Sequence, residues 1–263
     1  MSLEEDLEPF RQLKSRDLKA AGLFVAEGRF IVERMLASPC ESRAVLCVPE
    51  LALHFGELCR GRCNVIVRAA GELEAIAGYP FHRGVLGCGV RPSPLSLGGL
   101  IEHGEAVRRK RGRSVLVLCP SLGEDANLGG VIRSAQAFGA AGLILHSGSA
   151  DPYSRRSLRY SMGASLYARM ARFGDEGEDA GRLRAAGYPL LALANRADAI
   201  PLAQVHVGPL VAAVVGNEGS GLDRGWLERA DAVVRIPIAA ETDSLNASVA
   251  AAIALYVLSG ADR

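Results

Sequence analysis

An apolar run that breaks into a glycine-rich loop constrains the fold of this chain more than any other segment: Val211-Ala-Ala-Val-Val-Gly-Asn-Glu-Gly-Ser-Gly-Leu222. Residues 210–215 have the length and the continuous apolar character of a strand buried on both faces. Three glycines then surround the pair Asn217-Glu218. Glycine permits tight turns and close approach of the backbone to a ligand. The segment therefore predicts a buried strand that ends in a ligand-binding loop.

Four other apolar runs of strand length lie in the same half of the chain, with helical segments between most of them. They are residues 114–119, 142–146, 189–194 and 232–236. Continuous apolar strands that alternate with helices predict an α/β fold with a parallel sheet covered on both faces. In such sheets, ligands bind at the carboxyl ends of the strands.

The first part of the chain alternates shorter strand-like and helical runs. The strand-like runs are residues 24–26, 44–48, 65–67 and 85–90, and the helical runs are 29–36, 51–60 and 71–77. This alternation predicts a small α/β sandwich. Residues 91–99 contain two prolines and two glycines and break the pattern. We predict a first domain over residues 1–98, a linker with a basic run over 99–113, and a second domain over 114–263.

Charge and cysteine usage limit the function only broadly. The net charge of +1 does not by itself indicate a nucleic-acid-binding protein, but arginines cluster at residues 108–113 and 155–172. Either cluster could contact phosphates or simply form a solvated face. Cys47, Cys88 and Cys119 lie in apolar runs and no secretory signal is present, so we expect free thiols in the cytoplasm.

Metal binding and membrane insertion are not expected. Cys59 and Cys63, with His54 nearby, suggest zinc, but no second ligand pair stands at a suitable spacing. The longest apolar stretch, residues 247–258, is too short to cross a bilayer.

Two further motifs accompany the glycine loop. Asn127-Leu-Gly-Gly-Val-Ile-Arg133 precedes it by about 80 residues, and Ile236-Pro-Ile238 with Ser244-Leu-Asn-Ala-Ser-Val249 follows it. A dinucleotide-binding domain is the first alternative for glycines at a strand-to-helix turn. However, the spacing G-x-G-x-x-G is missing and no acidic residue ends the next strand to bind a ribose.

Together, over about residues 114–258, these motifs resemble the three signature motifs of the SpoU-type (TrmH-like) RNA ribose 2'-O-methyltransferases of the SPOUT superfamily. The resemblance implies a trefoil-knotted α/β domain whose knot loops bind S-adenosylmethionine through backbone groups. Residues 15–36 are similar to the start of an L30e-like substrate-binding domain. That similarity implies a first domain that binds structured RNA.

The resemblance also implies roles for individual residues. Residues expected to line the cofactor site are Leu193, Ala194, Gly216, Asn217, Ile236 and Leu245. Residues expected to face the RNA ribose, or to hold one another in place, are Asn127, Arg133, Glu218, Ser244 and Asn246. Basic residues expected to contact RNA are Arg11, Lys14, Arg16, Arg29, Arg155, Arg156 and Arg159.

Some of these residues also have simpler explanations. Ser244 could be the N-cap of the last helix, and Glu218 could complement a helix dipole. Arg133 could form a surface salt bridge, although its apolar helix neighbours favour a guanidinium that reaches back toward the strand ends. In the family the matching arginine is taken to act on the 2'-hydroxyl. Because a guanidinium rarely gives up its proton, binding of the phosphate or the hydroxyl is the safer role.

The sequence departs from the family pattern at three places. A proline commonly precedes the first-motif asparagine, where this chain has Asp125-Ala126. Methionine is usual at position 238, where this chain has Ile238, and a glycine is expected within Ala239-Ala240. These changes affect the substrate more than the reaction type. Ribosomal RNA is the leading substrate and transfer RNA the second. Methylation of a base, or RNA binding without catalysis, remain alternatives.

The last helix predicts self-association. Residues 247–258 leave almost no polar face, and a helix that is apolar all round must be covered on more than one side. We expect a homodimer through this helix, as the family resemblance also implies, with Ala251 and Ala254 at the contact.

Overall fold

A computed structural model describes residues 3–11, 15–79, 82–217 and 219–260. The chain forms two compact units. The first comprises Met1–Ser93 and Asp151–Tyr167, and the second comprises Pro94–Ala150 and Ala168–Arg263.

The helices and strands, in chain order, have the following bounds. The helices are α1 (Leu3–Arg11), α2 (Ser15–Ala20), α3 (Arg29–Ala37), α4 (Ala52–Cys59), α5 (Ala70–Ala77), α6 (Leu97–Arg111), α7 (Asp125–Ala137), α8 (Arg155–Tyr160), α9 (Glu176–Ala185), α10 (Arg224–Arg229) and α11 (Ala247–Ser259). The strands are β1 (Leu23–Glu27), β2 (Ser42–Cys47), β3 (Asn64–Val67), β4 (Val85–Val90), β5 (Ser114–Cys119), β6 (Gly142–Leu145), β7 (Met170–Arg172), β8 (Leu190–Leu193), β9 (Ile200–Pro201), β10 (Leu210–Val215) and β11 (Ala232–Arg235).

The first unit contains a mixed four-stranded sheet in the order β1-β4-β2-β3. β4 pairs antiparallel with both β1 and β2, and β2 pairs parallel with β3. All four strands lie within two residues of the predicted runs. Phe24, Met35 and Phe55 are fully buried in its core.

Residues 151–167 belong to the first unit, which differs from the predicted division. Leu158 and Leu166 are buried in the same core as Phe24. Both guanidinium ends of Arg91 donate to the two carboxylate oxygens of Asp151 at 2.7 Å. A short amphipathic helix such as α8 does not indicate from its own pattern which of two cores it covers.

The second unit contains a parallel seven-stranded sheet in the order β7-β6-β5-β10-β8-β11-β9. Leu116, Leu118 and Val214 point to one face and pack with residues of α6, α9 and α10. Their neighbours along the strands point to the opposite face, where α7 and α11 lie. The predicted α/β fold with a parallel sheet is therefore confirmed. β7 and β9 were not predicted, because runs of three and two residues carry no periodic signal.

The predicted linker is a helix in the second unit. Ser96 caps α6 through its hydroxyl, which accepts from the backbone N–H of Gly99 at 3.0 Å. Much of the basic run has partners there: Arg108 pairs with Glu105 at 2.6 Å, Arg111 donates to the carbonyl of Gly139, and Arg113 donates to that of Leu258. These arginines thus stabilise helix ends within the unit.

The residues considered for metal binding have other contacts. Among the described residues no group of three or more metal-ligating side chains forms a site. His54 Nε2 lies 2.7 Å from Glu33 Oε1, and the sulphurs of Cys59 and Cys63 lie 3.3 Å apart. None of the described helices has the length and apolar character needed to span a membrane.

Candidate active site

The glycine loop at the end of β10 is organised by Asn217. Its backbone N–H donates to the carbonyl of Gly221 at 2.9 Å, and the N–H of Gly221 returns a bond of 3.0 Å. Its side-chain oxygen accepts from the backbone N–H of Gly219 at 2.9 Å. Its amide NH₂ donates to the carbonyl of Ser121, beyond the end of the neighbouring strand β5, at 2.9 Å. Asn217 thereby ties the loop to the loop that follows β5.

Gly216 is required by the tightness of this loop. A Cβ atom at position 216 would lie 2.5 Å from the carbonyl carbon of Gly221 and 2.6 Å from the backbone nitrogen of Leu222. These atoms are backbone, so a rotamer change cannot relieve the contact. Gly221 itself has a φ of +68°, a conformation that favours glycine. Glycine is therefore needed at position 216 because the backbone of the same loop passes close to it, which confirms the tight turn predicted from the sequence.

The first and third motifs meet through two asparagines. Asn246 Nδ2 donates to Asn127 Oδ1 at 2.7 Å. Farther along, a Cβ at Gly130 would lie 2.6 Å from Ser248 Cβ, and the rings of Phe138 and Tyr256 are 5.9 Å apart. These contacts follow the same order along α7 and α11, so the two helices run side by side in the same direction. Asn127, which is buried, thus lies at the start of a closely packed helix pair.

Asn246, rather than Ser244, is the N-cap of the last helix. Its side-chain oxygen accepts from the backbone N–H of Ser248 at 2.9 Å and from the Ser248 hydroxyl at 2.6 Å. An N-cap of this kind is worth about 1 kcal/mol. Ser244 lies two residues earlier, exposed, in the loop after β11. The cap explanation therefore applies to Asn246 and no longer accounts for Ser244.

A cavity of about 380 Å³ opens at the carboxyl ends of β8, β10 and β11. It contains all the residues predicted to line a cofactor site: Leu193, Ala194, Gly216, Asn217, Ile236 and Leu245. Ser244 also lines it. The volume lies within the range of about 300–1,000 Å³ that is usual for small-molecule sites. The glycine loop and the third motif therefore meet around one pocket, and the first motif is joined to the third through the Asn127–Asn246 bond.

Arg133 is exposed on α7, and the reach of its guanidinium toward the strand ends stays a prediction. It lies about 9 Å along α7 from Asn127, given the helical rise, and is exposed. No hydrogen bond or ion pair joins it to another residue within the described ranges. Val131 and Ile132 fill the core side of α7, which leaves the arginine on the outer side. The surface salt bridge considered as its alternative is also not formed there.

The predicted RNA-contacting residues have mixed surroundings. Arg11 lies 2.9 Å from Glu4, Arg16 3.6 Å from Asp17, Arg29 2.7 Å from Glu33, and Arg155 3.3 Å from Glu27. Arg156 is exposed, and Arg159 lies over the ring of Tyr160. Arg155, Arg156 and Arg159 belong to the first unit. Lys14 and Glu218 lie outside the described residues.

The structure adds residues that the motifs did not indicate. Asn195 and Arg196, just after β8, line the cavity. Asn195 donates to the carbonyl of Asp243 at 3.0 Å, which links the loop after β8 to the loop before α11. Arg196 forms two hydrogen bonds of 2.9 Å with Asp198. A polar pair directly after an apolar strand was the available signal, since strand ends form the ligand-binding edge.

Comparison with known proteins gives a consistent result. The profile of the SpoU rRNA Methylase family matches residues 114–256. An uncharacterized tRNA/rRNA methyltransferase of Mycobacterium tuberculosis is 31% identical over 95% of this chain and 87% of its own length. The 23S rRNA (guanosine(2553)-2'-O)-methyltransferase RlmP of Bacillus subtilis is 28% identical over 90% and 88%, respectively.

A solved structure with a bound cofactor is also similar. The SpoU methyltransferase AviRb from Streptomyces viridochromogenes, in complex with AdoMet, is 25% identical and superposes with a TM-score of 0.77. The match covers 98% of this chain and 97% of that one. The likeness therefore extends over both units rather than over the glycine-loop region alone.

Proposed function

Because the chain belongs to the SpoU rRNA methylase family, we propose that it transfers a methyl group from S-adenosylmethionine to a ribose 2'-hydroxyl of RNA, with ribosomal RNA as the substrate. One observation carries this proposal: the glycine loop, the Ser244–Leu245 segment and the end of β8 enclose a single cavity. The Asn127–Asn246 pair links the first motif to the same segment.

The residues around the cavity suit the cofactor. Gly216 and Gly221 let the backbone approach closely, while Leu193, Ile236 and Leu245 supply apolar contacts. S-adenosylmethionine supplies an electrophilic methyl group on a sulfonium. A ligand of this size needs few charged partners where backbone N–H and C=O groups give specificity.

The polar residues act on the substrate side. Methyl transfer to an oxygen is an in-line displacement, so holding the hydroxyl in position supplies much of the catalysis. Asn246 fixes the amide orientation of Asn127 and caps α11 with the same side chain. Ser244 lines the cavity and is proposed to contact the ribose, and the same role is proposed for Glu218, which lies outside the described residues. Arg133, exposed on α7, binds the target phosphate or hydroxyl and offsets negative charge as it develops on the oxygen.

Mapping 2'-O-methyl groups in total RNA, with and without the protein, tests the reaction and identifies the nucleotide. We expect a new methylated ribose in 23S or 16S rRNA. A methyl group on a base would contradict the reaction proposed, and one found only in transfer RNA would contradict the substrate proposed. Calorimetric titration with S-adenosylhomocysteine tests the cofactor separately, and absence of binding in the presence of RNA would overturn that assignment.

Three finer features belong to the same proposal. The parallel sheet with α11 returning against α7 is consistent with a trefoil knot in the second unit. The four-stranded sheet of the first unit is consistent with an L30e-like RNA-binding domain. Five of the six free cysteines are buried, as suits a protein of the reducing cytoplasm.

A homodimer through α11 is proposed from the side chains that the second unit leaves uncovered. Val249, Tyr256 and Val257 are 47%, 42% and 39% exposed, and Ile253 between them is half-buried. They follow the spacing of one helix face. Ala251 and Ala254, expected at the contact, are instead buried within the unit. Small residues pack this helix onto its own sheet, and the larger ones form the outer face.

We expect a mass near twice 27.7 kDa by light scattering, and a monomer for Val257→Arg, because a charge on this face must be desolvated in the dimer. Val67→Arg is the matched control, since Val67 is equally exposed (37%) on β3 of the first unit. A monomeric, fully active wild type would contradict the interface, as would equal dissociation of both variants.

A further inference from the structure

The first unit has a cleft of its own. A cavity of about 330 Å³ lies where β1 passes into α3. Its walls come from three separate parts of the chain: Gly28, Arg29 and Phe30 from this turn, Arg83 from the segment before β4, and Arg159 and Met162 from the end of α8. All these residues belong to the first unit. The cleft therefore exists only because residues 151–167 pack on this unit.

The backbone at two edges of the cleft is unusual. Gly28 has a φ of +89°, and a Cβ there would lie 3.2 Å from Arg83 Cδ. Met162 has a φ of +51°, which is uncommon for a residue other than glycine. Its side chain is nevertheless 38% exposed and lines the cleft. The turn thus presents a flexible apolar side chain to the cleft instead of burying it.

Exposed apolar and aromatic surface is concentrated at this place. Phe30 is 48% exposed on one wall, and the guanidinium of Arg34 lies 5.7 Å from the centre of its ring. Tyr160, 42% exposed, lies two residues before Met162. Aromatic faces next to arginines are the surfaces on which unpaired nucleobases stack.

The charges around the cleft favour an anion. Arg29, Arg83 and Arg159 line it, whereas Glu27 is its only carboxylate-bearing residue among those described. Glu27 is already shared by Arg83 at 3.4 Å and Arg155 at 3.3 Å. Arg29 bonds to Glu33, and this bond above all lowers the pKa of the Glu33 carboxyl. Arg159 has no carboxylate partner within the described residues, and Arg156 on the same helix is exposed. The surplus of guanidinium groups suits a phosphate backbone.

We propose that this cleft binds one unpaired nucleotide of the RNA substrate, with the base stacked against Phe30 and Met162 and the flanking phosphates held by Arg29 and Arg159. The inference rests on the proposed function and adds a recognition site remote in sequence from the methyl-transfer motifs. Because stacking tolerates any base, the cleft selects a single-stranded, accessible nucleotide rather than a sequence. The cleft should therefore favour an RNA loop or bulge over a continuous duplex.

Fluorescence anisotropy with the full chain tests the site, using a labelled 12-nucleotide oligoadenylate and a 12-base-pair RNA duplex as probes. Phe30→Ala should weaken binding of the single strand by about tenfold and change duplex binding little. Leu53→Ala is the matched control, because Leu53 is an exposed apolar side chain (86%) of the same unit outside the cleft. Arg159→Gln should reduce the salt dependence of single-strand binding by the amount expected for the loss of about one phosphate contact. Arg68→Gln is the control for this variant.

The outcomes separate this inference from the proposed function. A Phe30→Ala protein that binds the single strand like the wild type overturns the nucleotide site, while methylation by the wild type still supports the function. Equal weakening by Phe30→Ala and Leu53→Ala also overturns it. If Phe30→Ala weakens only the binding of the duplex, the cleft contacts the backbone of double-helical RNA, and the stacked base is rejected. A wild type that methylates no RNA and binds neither probe rejects the proposed function itself.

Discussion

Arg133→Ala should lower the rate of methyl transfer by about a hundred- to a thousandfold, the usual cost of removing a group that stabilises charge in the transition state. The affinity for S-adenosylhomocysteine should stay within a few fold, because Arg133 does not line the cavity. Its side chain is exposed, so the fold should be unaffected. Single-turnover kinetics with the mapped RNA and calorimetry with S-adenosylhomocysteine measure the two effects separately.

Arg224→Ala is the control for this variant. Arg224 is a surface arginine of the second unit, 91% exposed and paired with Glu228 one turn away, and its loss should leave turnover unchanged. Arg133→Lys separates charge from geometry, since lysine keeps the charge but not the planar fork of donors. Unchanged turnover of Arg133→Ala would show that the residue only faces solvent. A parallel loss of cofactor binding would instead make it structural.

Gly216→Ala should weaken binding of S-adenosylhomocysteine by about ten- to a hundredfold, equivalent to about 1–3 kcal/mol for overpacking. The added Cβ would lie 2.5 Å from the carbonyl carbon of Gly221, so the loop must move. That movement would disturb the paired bonds between Asn217 and Gly221. Calorimetric titration measures the affinity, and thermal unfolding without ligand reports any loss of stability.

Gly208→Ala is the matched control, because Gly208 lies just before the same strand β10 and a Cβ there meets nothing within 4 Å. It should bind S-adenosylhomocysteine like the wild type. If Gly216→Ala also binds normally, the loop does not hold the cofactor through close backbone approach. Unfolding of Gly216→Ala at the assay temperature would be visible in the thermal scan. The titration would then be repeated at a lower temperature, at which the variant is folded. Normal binding by the folded variant would again contradict the prediction.

The strands of the second unit could be located from the sequence because burial on both faces leaves continuous apolar runs. β5 and β10 have the predicted bounds, and the glycine loop stands at the end of β10 as its composition requires. β7 and β9 could not be found, since two or three residues owe their pairing to neighbours distant in the sequence. Periodicity reports local burial and carries no information on which strand lies beside which.

The residues proposed to bind the cofactor could be named from the sequence for a related reason. Leu193 is the last residue of β8, Gly216 and Ile236 follow strands, and Leu245 belongs to the third motif. Parallel strands bring those ends to one edge. Arg133 shows the limit of this reasoning. Its apolar neighbours on α7 led us to expect a guanidinium that reaches back toward the strand ends, and the structure shows that the residue is exposed.

The sequence by itself determined the longer strand-forming runs and the tight glycine turn after β10 and, through the family resemblance, six of the residues around the cavity, because each follows from local composition or from motif order. Only the tertiary structure decided that residues 151–167 complete the first unit, that Asn246 both caps α11 and holds Asn127, and that Arg111 and Arg113 of the basic run stabilise the ends of other helices. These features depend on contacts between residues up to 145 positions apart. Such contacts form when buried surfaces and unsatisfied backbone groups find partners in the folded chain, and no local pattern encodes the choice.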